Sequence, residues 1–240
     1  MYTDRHGYRR IGSPADHMEL LGILGFVEPP PARVRSAIIQ GDWVVDIGAN
    51  VGNVTADLCR LVGRRGSVWA IEPVPRNVSR LIDLCGRNDL PQLRVFPVAL
   101  GDATHSADLR LPASGHSGWA SFTKTWDTKG SLSVPVVRLD ALVDELRPQG
   151  RLRFIKIDVE GFEPEVLRGA TETLRRYRPL ILCEFNDVLL RDAGTSSVQL
   201  LELFATLGYR PSRPISPITL DGQLLDIVLE SDAESAHSST

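Results

Sequence analysis

From Gly41 the chain alternates short β-rich runs with amphipathic segments, and nothing else in it restricts the fold so tightly. That alternation is the mark of βαβ units around a mostly parallel sheet. Strands are expected at Trp43 to Ile47, Ser67 to Ile71, Leu93 to Val98, Leu152 to Ile157 and Leu180 to Phe185. The first, fourth and fifth are almost continuously apolar, as strands covered on both faces should be. Between them Val51, Val54, Leu58, Leu61 and Val62 share one helical face, as do Val78, Leu81, Ile82 and Cys85, and as do Phe162, Val166, Leu167, Ala170 and Leu174. Gly63 and Gly86 suit helix ends, and Pro164 suits a first helical turn. A further helix is expected at Val198 to Leu207. Ile215 to Leu220 and Leu224 to Leu229, joined by Asp221-Gly222, read as a closing β-hairpin. Leu109 to Leu111 and Val134 to Val137 are candidates for another strand pair. The expected fold is α/β and doubly wound. It has a partly helical extension over residues 1–40, a main domain over 41–230 and a disordered tail over 231–240.

Lys and Arg number 27 against 30 Asp and Glu, for a net charge of −3, and no basic run offers to neutralise a phosphate backbone. Nucleic acid is therefore not expected as a partner. Cys59, Cys85 and Cys183 lie far apart without metal-ligand spacing, which fits a reducing, cytoplasmic setting. Leu20 to Val27 is too short to span a bilayer and is read as a helix on the core, with a lid or a homodimer contact as the alternatives. Residues 1–15 are polar and expected to fray.

In open parallel sheets ligands sit at the carboxyl ends of the strands. The first such turn reads Asp46-Ile47-Gly48-Ala49-Asn50-Val51-Gly52, with glycines that let a ligand approach the backbone and a helix start whose free N–H groups would favour an anion. A side chain at Gly48 would fill the ligand's space. A dinucleotide fingerprint would need glycines where Asn50 and Asn53 stand, and no Gly-Lys-Ser/Thr exists for a P-loop. Asp46 would repel a pyrophosphate but welcome a zwitterion bearing a sulfonium, which points to S-adenosylmethionine. Glu72, at the end of the second strand, stands where a carboxylate can accept hydrogen bonds from a ribose diol.

With these residues the chain resembles the FkbM family of S-adenosylmethionine-dependent methyltransferases. The resemblance lies in Val45 to Gly52, in Glu72-Pro73 with Asn77, in Ala99-Leu100-Gly101-Asp102, and above all in Ile155 to Glu163. Leu139-Asp140, Val166 to Ala170 and Arg178-Pro179 with Glu184 follow in the family's order. It implies a seven-stranded class I methyltransferase fold, Rossmann-like, acting on a hydroxyl of a sugar or secondary metabolite. It also implies that Asp46, Gly48 and Asn50, with Gly52 opening the helix, hold the methionine end, that Glu72 holds the ribose, and that Leu100 and Asp102 border the adenine. The chain departs from the family at Gly118-Trp119-Ala120-Ser121-Phe122, where bulky Trp119 replaces a small Ser-containing motif.

An alcohol acceptor must lose a proton on methylation, so a base should help by a factor of ~10² to 10⁴. Asp158, ending the fourth strand, is the best-placed candidate, with Glu160, Glu163 and Glu184 close by. Crowding among them would raise a pKa, while Glu160 and Glu163 also suit a plain helix-capping role. The same oxygens suit Mg²⁺, although the reading adopted is metal-free. His105 and His116 lie in the irregular Gly101 to Ser131 segment and are candidate bases, with His116 preferred. Trp119, Phe122 and Trp126 can line a substrate pocket or pack in the core. Lys156, inside a buried strand, should snorkel or pair with a carboxylate. The expected partner is a small-molecule or glycan acceptor. Competing readings are an NAD(P)-dependent oxidoreductase and a non-catalytic S-adenosylmethionine-binding module. A base methylator would want Asp/Asn-Pro-Pro-aromatic where Asp158-Val159-Glu160-Gly161 stands.

Overall fold

The computed structural model describes residues 1–112, 120–122 and 128–232. An antiparallel pair, β1 (Tyr2–Thr3) and β2 (Arg9–Arg10), opens the chain and is followed by α1 (His17–Leu24) and α2 (Ala32–Ala37). Next come β3 (Trp43–Ile47), α3 (Asn53–Val62), β4 (Ser67–Ile71), α4 (Pro75–Asn88) and β5 (Leu93–Phe96). A small sheet intervenes, built of β6 (Ala99–Leu100), β7 (His105–Pro112) and β8 (Thr128–Val137). The winding resumes with α5 (Leu139–Leu146), β9 (Leu152–Ile157), α6 (Glu163–Arg168), α7 (Thr171–Tyr177) and β10 (Leu180–Asn186). The last elements are α8 (Asp187–Asp192), α9 (Ser197–Thr206), β11 (Tyr209–Pro211), α10 (Pro217–Leu220) and β12 (Leu224–Ser231).

The main sheet has seven strands in the order β11-β12-β10-β9-β3-β4-β5. From β3 the chain winds outward through β4 and β5, then returns to lay β9 and β10 on β3's other side, all five parallel. The switch point between β3 and β9 is where a doubly wound sheet opens a crevice. Apolar side chains cover both faces. Trp43 and Trp69 pack at 4.9 Å on one face with Leu139, Leu167 and Leu174, while Val44, Val68, Leu58 and Leu81 fill the other.

Several local expectations are corrected. Ile215 to Leu220 is not a strand: Pro217 cannot donate to a ladder, and Ser216 Oγ accepts the Thr219 N–H to start α10. The antiparallel partner of β12 at that edge is β11, and β12 wedges between β11 and β10. Gly86 lies inside α4, which ends at Asp89 in the left-handed region. The apolar face from Phe162 to Leu174 spans two helices. A Cβ on Gly169 would meet the Gly101 carbonyl oxygen at 1.9 Å, and Asp140 accepts the Glu172 and Thr173 N–H groups to start α7 afresh. The first residues are tied down: Arg5 and His6 pair with buried Asp57, and buried Arg10 donates to the Val51 carbonyl. In α1 the buried side chain is an acid, Glu19, while Leu24 and the following Phe26 are exposed.

Candidate active site

The carboxyl ends of β3, β4, β9 and β10 enclose a cavity of about 230 Å³. Gly48, Asn50, Glu72, Pro73 and Val74 form one wall; Asp158, Val159, Glu160 and Glu184 form the opposite one. Leu100, Leu109, Ala120 and Phe122 close the side toward the small sheet, and His17 and Met18 of α1 lie across the front.

The first wall is saturated with hydrogen bonds. Gly48 and Ala49 N–H groups both donate to the Ile71 carbonyl at 3.0 Å, Asn50 N–H to Glu72 Oε2 at 2.8 Å, Val51 N–H to Asn50 Oδ1 at 2.7 Å, and Gly52 N–H to the Ala49 carbonyl at 2.9 Å. The turn N–H groups from Gly48 to Gly52 are thus engaged within the protein, and the N–H groups opening α3, those of Asn53, Val54 and Thr55, lie beyond them. Gly48 has φ +76° and no room for a side chain, because a Cβ would meet the Asp158 carbonyl oxygen at 1.8 Å. Its role is to let β3 and β9 close upon each other at the switch point.

Glu72 is pinned at both oxygens. Besides Asn50, it accepts from Val74 N–H at 2.9 Å and Asn77 Nδ2 at 3.3 Å. Burial raises its pKa, and these three bonds work against the shift. Asp46 is placed beneath the turn rather than in the cavity wall. Thr55 Oγ1 donates to its Oδ2 at 2.6 Å, and Lys156 Nζ lies 3.9 Å from Oδ1. Burial raises the Asp46 pKa against the pull of Lys156 and Thr55. Gly52 also stands behind the wall, where its αL conformation starts α3 against Leu81. Leu100 lines the cavity, but Asp102 does not: the Gly101 N–H bonds to the Val137 carbonyl, turning the chain toward the small sheet and leaving Asp102 in solvent.

The second wall carries charge. Lys156 Nζ donates to Asp158 Oδ2 at 2.8 Å, the carboxylate pairing expected of it. Burial disfavours the Lys156 ammonium, yet Asp158 and Asp46 outweigh it and raise the pKa. The loop after β9 is fixed from within, since Glu163 Oε1 accepts from Val159 and Gly161 N–H at 3.1 and 3.3 Å. Glu163 thus braces the loop behind the cavity, and burial pushes it up to about 7. Glu160 sits at φ +55°, and its carbonyl accepts Ser121 Oγ–H at 2.9 Å. Glu184 Oε2 is buried without a hydrogen-bond partner. Burial first, then Asp158, Glu160 and Glu163, push Glu184 up to about 10, so it is a neutral acid near pH 7.

His116, Trp119 and Trp126 lie outside the described residues, and His105 is exposed at the far end of β7. Phe122 packs against Phe162 with ring centroids 4.6 Å apart and tilted by 42°, and both border the cavity. Two groups escaped the sequence reading. Asp226 stands directly across from Glu184 in the β10–β12 ladder. His17 and Met18 reach the cavity because Asp16 and Glu19 clamp α1 to Arg76 and Arg80 of α4. Asp16-x-x-Glu19 was a readable signal, since Asp16 caps the Glu19 N–H as a helix start.

A family model described as the methyltransferase FkbM domain matches residues 46–211. The hexuronic acid methyltransferase AglP of Haloferax volcanii is 31% identical over 136 residues, covering 57% of this chain and 53% of its own length. The 2-O-methyltransferase NoeI of Sinorhizobium fredii is 28% identical over 178 residues, covering 67% and 70%. The solved methyltransferase FkbM from Methylobacillus flagellatus superposes with a TM-score of 0.51 at 21% identity, over 82% of this chain and 46% of that one. The chain thus spans about half the length of the first of these relatives and of the solved structure.

Proposed function

Because this chain belongs to the FkbM methyltransferase family, we propose that it carries a methyl group from S-adenosylmethionine to a hydroxyl of a sugar. The observation that carries the reading is Glu72: a carboxylate fixed by three donors at the lip of a cavity whose opposite wall is acidic. Such a group accepts from a ribose diol without reorganising. One relative is named for methylating a hexuronic acid and the other for 2-O-methylation, which favours a sugar hydroxyl among acceptors.

The residues present fit the cofactor. Glu72 would take the ribose, Gly48 and Asn50 the methionine end, and Leu100 the adenine edge, while Asp46 acts from beneath by fixing Thr55 and Lys156. Bound S-adenosylmethionine supplies a methyl group already activated on a sulfonium, so the protein's task is chiefly alignment in a water-poor cleft. Asp158 is the proton acceptor of this scheme. Its second oxygen is held by Lys156, leaving the other to meet an acceptor hydroxyl. Glu184, neutral beside it, donates to the sugar and steers the reacting hydroxyl toward Asp158.

Calorimetric titration with S-adenosylhomocysteine, followed by incubation with methyl-labelled S-adenosylmethionine and a panel of glycosides, tests the reading. Micromolar binding and label in a sugar ether are expected. NAD binding with no S-adenosylhomocysteine binding would overturn it in favour of an oxidoreductase.

A further inference from the structure

The charge of the acid-lined wall bears on the acceptor. β9, β10 and β12 are adjacent, with Cys183 beside Ile157 and Asp226 directly across from Glu184. Residues opposed in a ladder share one face. Asp158, just past β9, Glu184 on β10 and the exposed Asp226 on β12 therefore stand side by side; Asp158 and Glu184 line the cavity with Glu160, and Asp226 lies outside its lining. Asp226 lies within electrostatic reach of Asp158 and of Glu28. The counter-charge is already committed: Lys156 Nζ is 2.8 Å from Asp158 and 3.9 Å from Asp46. Among the described residues that line the cavity, His17 alone can become a cation, and it stands on α1 at the front.

Resting on the proposed methyl transfer, we propose that the acceptor is an uncharged or amine-bearing sugar and that a hexuronate is rejected. A carboxylate on the acceptor would face Asp158 and Glu160 with no described cation in the lining but His17 to pair with, in a partly dewatered cleft where repulsion is screened little. Hydroxyl and ammonium groups instead donate to Glu184 Oε2, which is buried without a hydrogen-bond partner. In this respect the chain differs from AglP, a relative named for a hexuronic acid.

The experiment compares three series of methyl hexopyranosides, gluco, galacto and manno, each as the neutral sugar, the 2-amino sugar and the uronate. Initial rates are read with labelled S-adenosylmethionine, after S-adenosylhomocysteine binding to the same full chain has been measured. Neutral or amino forms are expected to exceed the uronate at least about tenfold in kcat/KM. Asp226→Lys, a substitution at an exposed position outside the cavity lining, should narrow that ratio, whereas Asp226→Asn should narrow it less. A uronate used as well as its neutral parent, a ratio unmoved in Asp226→Lys, or S-adenosylhomocysteine binding with transfer to none of the sugars overturns the proposal. Failure to bind S-adenosylhomocysteine strikes the proposed function itself.

Discussion

The two walls of the cleft are finished differently. On the β3–β4 side each turn N–H from Gly48 to Gly52 has an acceptor, and Glu72 has three donors. On the β9–β10 side a buried ammonium serves two carboxylates, while Glu184 is left neutral with an orphaned oxygen. A satisfied wall is rigid and suits recognition of one fixed ligand; an unsatisfied wall stores electrostatic stress that a substrate relieves. On the proposed reading, binding and chemistry divide along the switch point of the sheet.

The division breaks most visibly at Gly48, the residue that joins the walls. Gly48→Ala combines a left-handed backbone with a Cβ driven into the Asp158 carbonyl, so a loss on the order of 3 kcal/mol is expected, read by thermal denaturation together with vanished S-adenosylhomocysteine binding. A stable, binding Gly48→Ala would show that the walls are not in contact. On the acidic side Asp158→Asn should lower kcat by about 10² or more while cofactor affinity stays within about tenfold; an unaltered kcat removes Asp158 from proton transfer. On the satisfied side Glu72→Gln should do the reverse, weakening S-adenosylhomocysteine binding by roughly 10- to 100-fold, because Gln keeps one acceptor oxygen in place of two charged ones.

The last test concerns pH. Glu184 is raised from 4.5 to about 10, so the folded state binds the proton more tightly than the unfolded one. The stability this contributes is complete below 4.5 and is lost progressively as pH rises toward 10. Glu184→Gln, which never ionises, should gain on the wild type steadily as pH rises from 5 to 8. Parallel denaturation curves at the two pH values would refute the stored-stress account of this wall.

Much of the frame was legible because the central strands are covered on both faces and so read as unbroken apolar runs, as in Trp43 to Ile47. That Glu72 follows the second of these strands at a cavity wall was legible from its position alone. What escaped depends on partners far along the chain. The break at Gly169 follows from contact with Gly101, and the new start at Thr171 from Asp140, neither visible in local periodicity. The Ile215 to Leu220 segment has strand-like residues, but Pro217 and the Ser216 cap override them. Gly48 was read as space for a ligand; it lines the cavity, and the sequence did not show that the Asp158 carbonyl also closes on it. The N-terminal residues look polar and loose, yet their charges find Asp57, Arg76 and Arg80, some 50 to 60 positions later.

The insertion of β12 between β10 and β11 makes this late strand the antiparallel neighbour of the parallel core. Excision of everything after Pro211 would strip β10 of an entire ladder of main-chain partners and turn a protected interior strand into a bare, apolar border. Such a fragment is an invitation to edge-to-edge stacking between molecules, so any shortened version of this protein must carry its last strand to stay monodisperse.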